Sequence, residues 1–139
     1  MNYPNIEKAV NIINANYTQP ISLGDLSKKC CMSKYHFSRV FKKVTGKTFK
    51  NFHNHKRIEA AKSLLNDNEL SITEICFSIG FNDLSYFNKV FHKYVEMSPS
   101  DYKKKQIKYR SDKANNKKGK SLQIFSFDSI SIQRFPTAW

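Results

Sequence analysis

Acidic side chains are scarce in this sequence: 11 Asp and Glu stand against 24 Lys and Arg, which leaves a net charge of +13 on 139 residues. That deficit argues against a basic substrate. It favours polyanionic partners, either nucleic acid or an anionic membrane surface, because Lys and Arg release counterions when they neutralise phosphates. Glycine is scarce too, at four residues, and no run of the form GxxxxGK followed by Ser or Thr is present, so nucleotide hydrolysis has no support. The three cysteines, Cys30, Cys31 and Cys76, are odd in number, and adjacent cysteines cannot easily pair, so no disulfide framework is implied and reduced cytosolic thiols are expected. No stretch approaches the roughly 18 unbroken apolar residues of a membrane span, and the N-terminus lacks the charged-then-apolar pattern of a signal peptide. The sequence therefore points to the cytosol and away from a membrane span.

What is present is a chain of single-domain length with 40% hydrophobic and 14% aromatic residues, enough apolar material to pack a core. Apolar residues recur at helical spacing up to about residue 105. Ile6, Val10, Ile13 and Tyr17 form one stripe; Phe37, Val40, Phe41 and Val44 another; Ile58, Ala61, Leu64 and Leu65 a third. Ile72, Ile75, Cys76 and Ile79 follow, then Phe87, Val90, Phe91 and Tyr94. Ser22, Ser33, Ser71, Asp83 (or Asn82) and Ser98 are candidate N-caps, Gly46 and Gly80 punctuate, and Pro99 sits just inside a short final helix. The expected fold is all-α, with about seven helices.

The chain also repeats itself. Residues 37–43 (FSRVFKK) match residues 87–93 (FNKVFHK) at an offset of 50, and residues 22–26 match residues 71–75 at an offset of 49, so the second copy carries one extra residue in its turn, near Leu84. Each copy reads as a short helix, a tight turn and a longer helix. That is the form of a helix-turn-helix, whose second helix lies in the DNA major groove. With Phe37, Val40, Phe41 and Val44 facing a core, Lys34, Tyr35, Ser38, Arg39 and Lys42 turn outward. Arg39 suits a bidentate contact to guanine, and Lys34 and Lys42 suit the backbone. The second copy turns out Leu84, Ser85, Asn88, Lys89 and His92, of which Asn88 can pair with adenine and Leu84 can touch a thymine methyl.

The run from Ile75 to Phe91 (ICFSIGFNDLSYFNKVF), closed by Met97-Ser98-Pro99-Ser100-Asp101-Tyr102, resembles the signature of the AraC/XylS family of bacterial transcription regulators. The first half is similar through Leu26-Ser27, residues 33–43 and Gly46, and Arg57 with Ala60-Ala61 matches the family's pattern in the connecting helix. The resemblance spans about residues 5–105. Cys76 stands where the family usually has Ala, and Glu96 where it usually has Gly, a change expected to strain that turn. Leu84 and Asn88 alter the second recognition helix, so no operator sequence is carried over.

The resemblance implies a DNA-binding domain over residues 1–105: two homeodomain-like helix-turn-helix units, at about 5–47 and 67–105, joined by a linker helix at about 48–66. It further implies that a monomer inserts helices at about 33–45 and 83–95 into successive major grooves about 34 Å apart. Tyr35, Ser38, Arg39, Ser85, Tyr86 and Lys89 are then base-reading positions, with Leu84 and Asn88 beside them; Tyr86, next to Phe87, fits packing equally well. Ser33, Lys34, His36, Lys42, Lys43, Lys47, His92 and Lys93 are the phosphate-contact candidates.

The expected partners are double-stranded DNA and RNA polymerase, in the bacterial cytoplasm at the nucleoid, with activation favoured over repression. No cofactor, metal or enzymatic activity is expected: His53 and His55 fall on different faces of a helix, and nothing matches a methyl-accepting domain. Cys30 and Cys76 are read as small core residues, against a redox pair at Cys30-Cys31. Because Met1 precedes the first helix by only a few residues, the single-domain members of the family are the expected parallel; a DNA-binding fragment of a larger ligand-responsive regulator, or an interaction protein using the same fold or its tail, are the alternatives. Residues 106–120 read as a basic flexible linker, residues 103–120 holding nine Lys and Arg against one acid, and residues 121–139 as a hydrophobic tail forming a strand or hairpin.

Overall fold

Local signals start and stop each helix. In the computed structural model, which describes residues 3–67 and 69–116, α1 (Pro4–Ala15) begins on a proline, whose missing N–H costs nothing in the first turn. Helix α2 (Leu23–Lys29) is capped by Ser22, whose hydroxyl accepts from the Asp25 N–H at 3.0 Å, and α3 (Lys34–Thr45) by Ser33, which accepts from the His36 N–H at 3.2 Å. Helix α4 (Phe49–Leu65) follows directly. Helix α5 (Ile72–Ser78) opens on a capping box in which Ser71 accepts from the Glu74 N–H at 3.1 Å and the Glu74 carboxylate accepts from the Ser71 N–H at 2.8 Å. Asp83 caps α6 (Leu84–Val95) through the Ser85 N–H, and Ser98 caps α7 (Pro99–Asn115) through the Asp101 N–H. The architecture among the described residues is all-α with seven helices, as the periodicity predicts.

The described chain packs as two units. The first (residues 3–16 and 21–52) buries Ile6, Ala9, Val10 and Ile13 of α1 against Leu26, Cys30, Phe37, Phe41 and Phe52. Phe41 lies at its centre, with ring centroids 5.4 Å from both Phe37 and Phe52. The second (residues 17–20 and 53–116) buries Ile58, Ala61 and Leu65 of α4 with Ile75, Cys76, Ile79, Phe81, Phe87, Val90, Phe91 and Tyr102. There Phe91 takes the place of Phe41, 5.8 Å from Phe87 and 5.7 Å from Tyr102. Truncating either central ring removes about 3–5 kcal/mol of packing.

The extra residue of the second copy lies in its turn. Four residues (30–33) run from the C-cap of α2 to the N-cap of α3, whereas five (79–83) connect α5 to α6. Both turns need a left-handed residue: Cys31 (φ 57°) in the first and Gly80 (φ 105°) at the same register in the second. The recognition helices likewise end on left-handed residues, Gly46 (φ 82°) and its counterpart Glu96 (φ 65°).

One expectation fails in the described region. Residues 106–115, read from sequence as flexible linker, continue α7, which is 17 residues long and not short. Lys, Gln and Arg are good helix formers, and two cations tie the helix down: the Lys103 ammonium donates to the Leu70 carbonyl at 2.8 Å and the Arg110 guanidinium to that of Asn66. Residues 117–120 of the expected linker, and the strand or hairpin expected at 121–139, lie outside the described residues.

Candidate nucleic-acid interface

The cores fix which way α3 and α6 point. In α3, Phe37 and Phe41 are fully buried, and Val40 and Val44 pack half-buried beside them. The opposite side leaves Lys34, Tyr35, His36, Arg39, Lys42 and Lys43 exposed, with Ser38 and Lys47 half-buried and the capping Ser33 exposed at the helix start. Tyr35 is 74% exposed, and the Arg39 guanidinium carbon lies 5.5 Å from its ring centroid, one turn further on. Such stacking restrains a long side chain while leaving its N–H fork available.

In α6, Phe87, Val90 and Phe91 are buried, and Ser85, Asn88, Lys89, His92 and Lys93 are exposed. Two neighbouring positions also touch the core of the unit. Leu84, expected to meet a thymine methyl, is half-buried and packs part of its side chain on the second core. Tyr86 is partly exposed, but its hydroxyl accepts a hydrogen bond from the buried Asn54 amide at 3.1 Å and its ring meets the Phe81 edge at 5.8 Å.

Sequence reasoning misses the polar face of α4 that holds the second unit. His53, Asn54 and Arg57 are buried. The Arg57 guanidinium donates through Nε to the Tyr17 carbonyl at 2.7 Å and through Nη2 to the Gln19 carbonyl at 3.0 Å, and lies 5.3 Å from the Phe81 ring centroid. His53 Nε2 donates to the same Tyr17 carbonyl at 2.9 Å. Residues 17–20 are outside any helix, so their carbonyls need partners, and Arg57 supplies two. Burial lowers the pKa of both His53 and Arg57 from their ordinary values. Gly80 is part of the same knot: a Cβ there would stand 2.5 Å from the Thr18 carbonyl oxygen and 2.8 Å from Arg57 Nη2. In the sequence only Arg57 and Gly80, both within the family-like patterns, signal any of this.

Burial pushes the Cys30 and Cys76 thiols up, as suits core residues, while Cys31 is exposed. Among the described residues no group of three His, Cys, Asp or Glu stands together to hold a metal, and no helix is long and apolar enough to cross a membrane.

A helix-turn-helix domain family matches residues 26–105. The regulatory protein PocR of Salmonella typhimurium is 34% identical over 98 residues, which is 70% of this chain and 32% of that protein. The C-terminal domain of the two-component response regulator yesN from Fusobacterium nucleatum superposes with a TM-score of 0.67 at 37% identity, over 73% of this chain and 99% of that one. The DNA-binding domain of AdpA, solved in complex with a target DNA, shares the fold at a TM-score of 0.68 and 20% identity, over 83% of this chain and 98% of that one. The chain spans about a third of the length of the curated relatives it matches.

Proposed function

The chain belongs to the AraC/XylS family of transcription regulators, matching its helix-turn-helix DNA-binding domain, and from that premise we propose that it reads a specific double-stranded site with α3 and α6. The observation that carries this reading is the exposed polar face that each helix presents opposite a closed aromatic core, with Arg39 and Lys89 at equivalent positions. Arg39 is the guanine reader of the first unit, flanked by Tyr35 and Ser38. Ser85, Asn88 and Lys89 read the second groove, and Tyr86 sets the pose of α6 through Asn54. Ser33, Lys34, His36, Lys42, Lys43, Lys47, His92 and Lys93 hold phosphates.

Because one chain supplies both reading helices, it acts as a monomer on successive major grooves. The family consists of DNA-binding regulators and not of enzymes. Contact with RNA polymerase, activation, and action at the bacterial nucleoid are the further parts of the proposal, and rest on family membership.

The test is selection of bound sites from random duplexes by the purified protein, followed by Arg39→Ala. The expected result is two preferred blocks about one helical turn apart, with Arg39→Ala costing about 1–3 kcal/mol and relaxing preference at one base. Equal loss on every duplex would make Arg39 a phosphate contact. No enrichment of any site would sink the proposal.

A further inference from the structure

The family match ends at residue 105, yet α7 runs ten residues further. Its inward side is short: Pro99 and Tyr102 are buried, Lys103 and Gln106 half-buried, and every residue from Ile107 to Asn116 is exposed. Over residues 103–116 the helix carries six Lys and Arg and one acid. Lys103 and Arg110 are engaged with backbone carbonyls of the α4–α5 connection. Lys104, Lys105 and Lys108 lie together on the opposite face, and no acidic side chain pairs with them among the described residues. Like charges one turn apart destabilise a helix in water, and half of this one buries nothing in return.

We propose that this lysine face of α7 is a second phosphate-binding element, which grips the backbone of the duplex that α6 reads. The proposal rests on the DNA-reading function above and adds a contact beyond the two helix-turn-helix units. Charge complementarity favours it. Residues 58–102 hold three Lys and Arg against seven acids, so this part of the second unit lacks the excess positive charge that residues 21–52 of the first carry, with eight against one. Helix α7 restores that charge and packs on α6 through Tyr102 and Phe91, 5.7 Å between ring centroids. An anionic membrane is the poorer fit. A surface-lying helix needs an apolar face to insert, whereas Ile107 and Tyr109 are two residues apart on different sides.

The test compares wild type with the Lys104→Gln, Lys105→Gln, Lys108→Gln triple variant on the duplex that wild type selects, by fluorescence anisotropy across a potassium chloride series. Glutamine keeps helix propensity, and circular dichroism checks that the fold is intact. Loss of three phosphate contacts makes the slope of log K against log salt shallower by about 2 to 3, leaves the ranking of duplexes unchanged, and is prevented when the same lysines become arginine. An unchanged slope overturns the proposal. So does a changed base preference at constant slope, or a loss of binding confined to phosphatidylserine vesicles. If wild type prefers no duplex, the DNA-reading function itself fails, and the slope on a random duplex still decides the role of α7.

Discussion

Two left-handed positions close each unit, and each unit fills one with glycine and the other with an ordinary residue: Cys31 and Gly46 in the first, Gly80 and Glu96 in the second. A side chain at such a φ costs about 1–2 kcal/mol. Glu96 is exposed and puts a negative charge at the C-terminal end of α6, where the helix dipole is also negative. Glu96→Gly is therefore expected to stabilise the protein by about 0.5–1 kcal/mol, net of the entropy that glycine adds to the unfolded chain, read as a higher urea midpoint. A lower midpoint would show that Glu96 makes a contact outweighing its strain. Gly80→Ala goes the other way. Backbone strain alone costs about 1–3 kcal/mol, and the added methyl would also meet the Thr18 carbonyl and Arg57. The sequence exposes the Glu96 problem through its departure from the family pattern. It hides Cys31, because cysteine carries no turn signal.

At the scale of elements, the helices with caps and one apolar stripe were legible: Ser22, Ser33, Ser71, Asp83 and Ser98 all cap where the sequence places them. The polar face of α4 was not, because buried His53, Asn54 and Arg57 look like solvent-facing residues until the carbonyls of residues 17–20 are found against them. The extension of α7 is illegible for a related reason, since a helix with no apolar stripe has no periodicity to read. The α4 knot makes stability depend on pH. Burial, opposed by the Tyr17 hydrogen bond and reinforced by Arg57, lowers the His53 pKa from its ordinary 6.5. Just below pH 6.5 the unfolded chain then binds a proton that the folded one excludes, so stability falls as pH drops through that window. The Glu74 carboxyl, held below its ordinary 4.5 by the Ser71 hydrogen bonds, contributes stability above that value and loses it only under more acidic conditions. The two windows are separable. Melting temperature is expected to decline between pH 7 and 5 in wild type and to flatten in His53→Gln; an equal decline in the variant would assign the effect to another group.

At the scale of the molecule, the excess positive charge is not a uniform coat. Residues 21–57 hold ten Lys and Arg against one acid, whereas residues 58–102 hold three against seven. The duplication visible in sequence thus conserves the fold of the two units and splits their electrostatics. A segment with surplus cations near a duplex releases counterions whatever the bases, and one with surplus acids, as residues 58–102 are before α7 is added, depends more on its base contacts. Of the two helix-turn-helix segments, the first is therefore expected to supply more of the salt-dependent grip and the second more of the discrimination, with α7 adding its own phosphate contacts beside α6. Neutralising Lys34, Lys42 and Lys43 to glutamine should reduce the salt slope by about 2 to 3 while preserving the order of preferred duplexes. Neutralising Lys89 and Lys93 should change the slope by less than about 2 and erode preference within one block of the site. Titrations of both variants across a duplex panel from about 50 to 200 mM salt distinguish these outcomes, and equal slope changes with equal loss of preference would show that the asymmetry of charge does not translate into a division of labour.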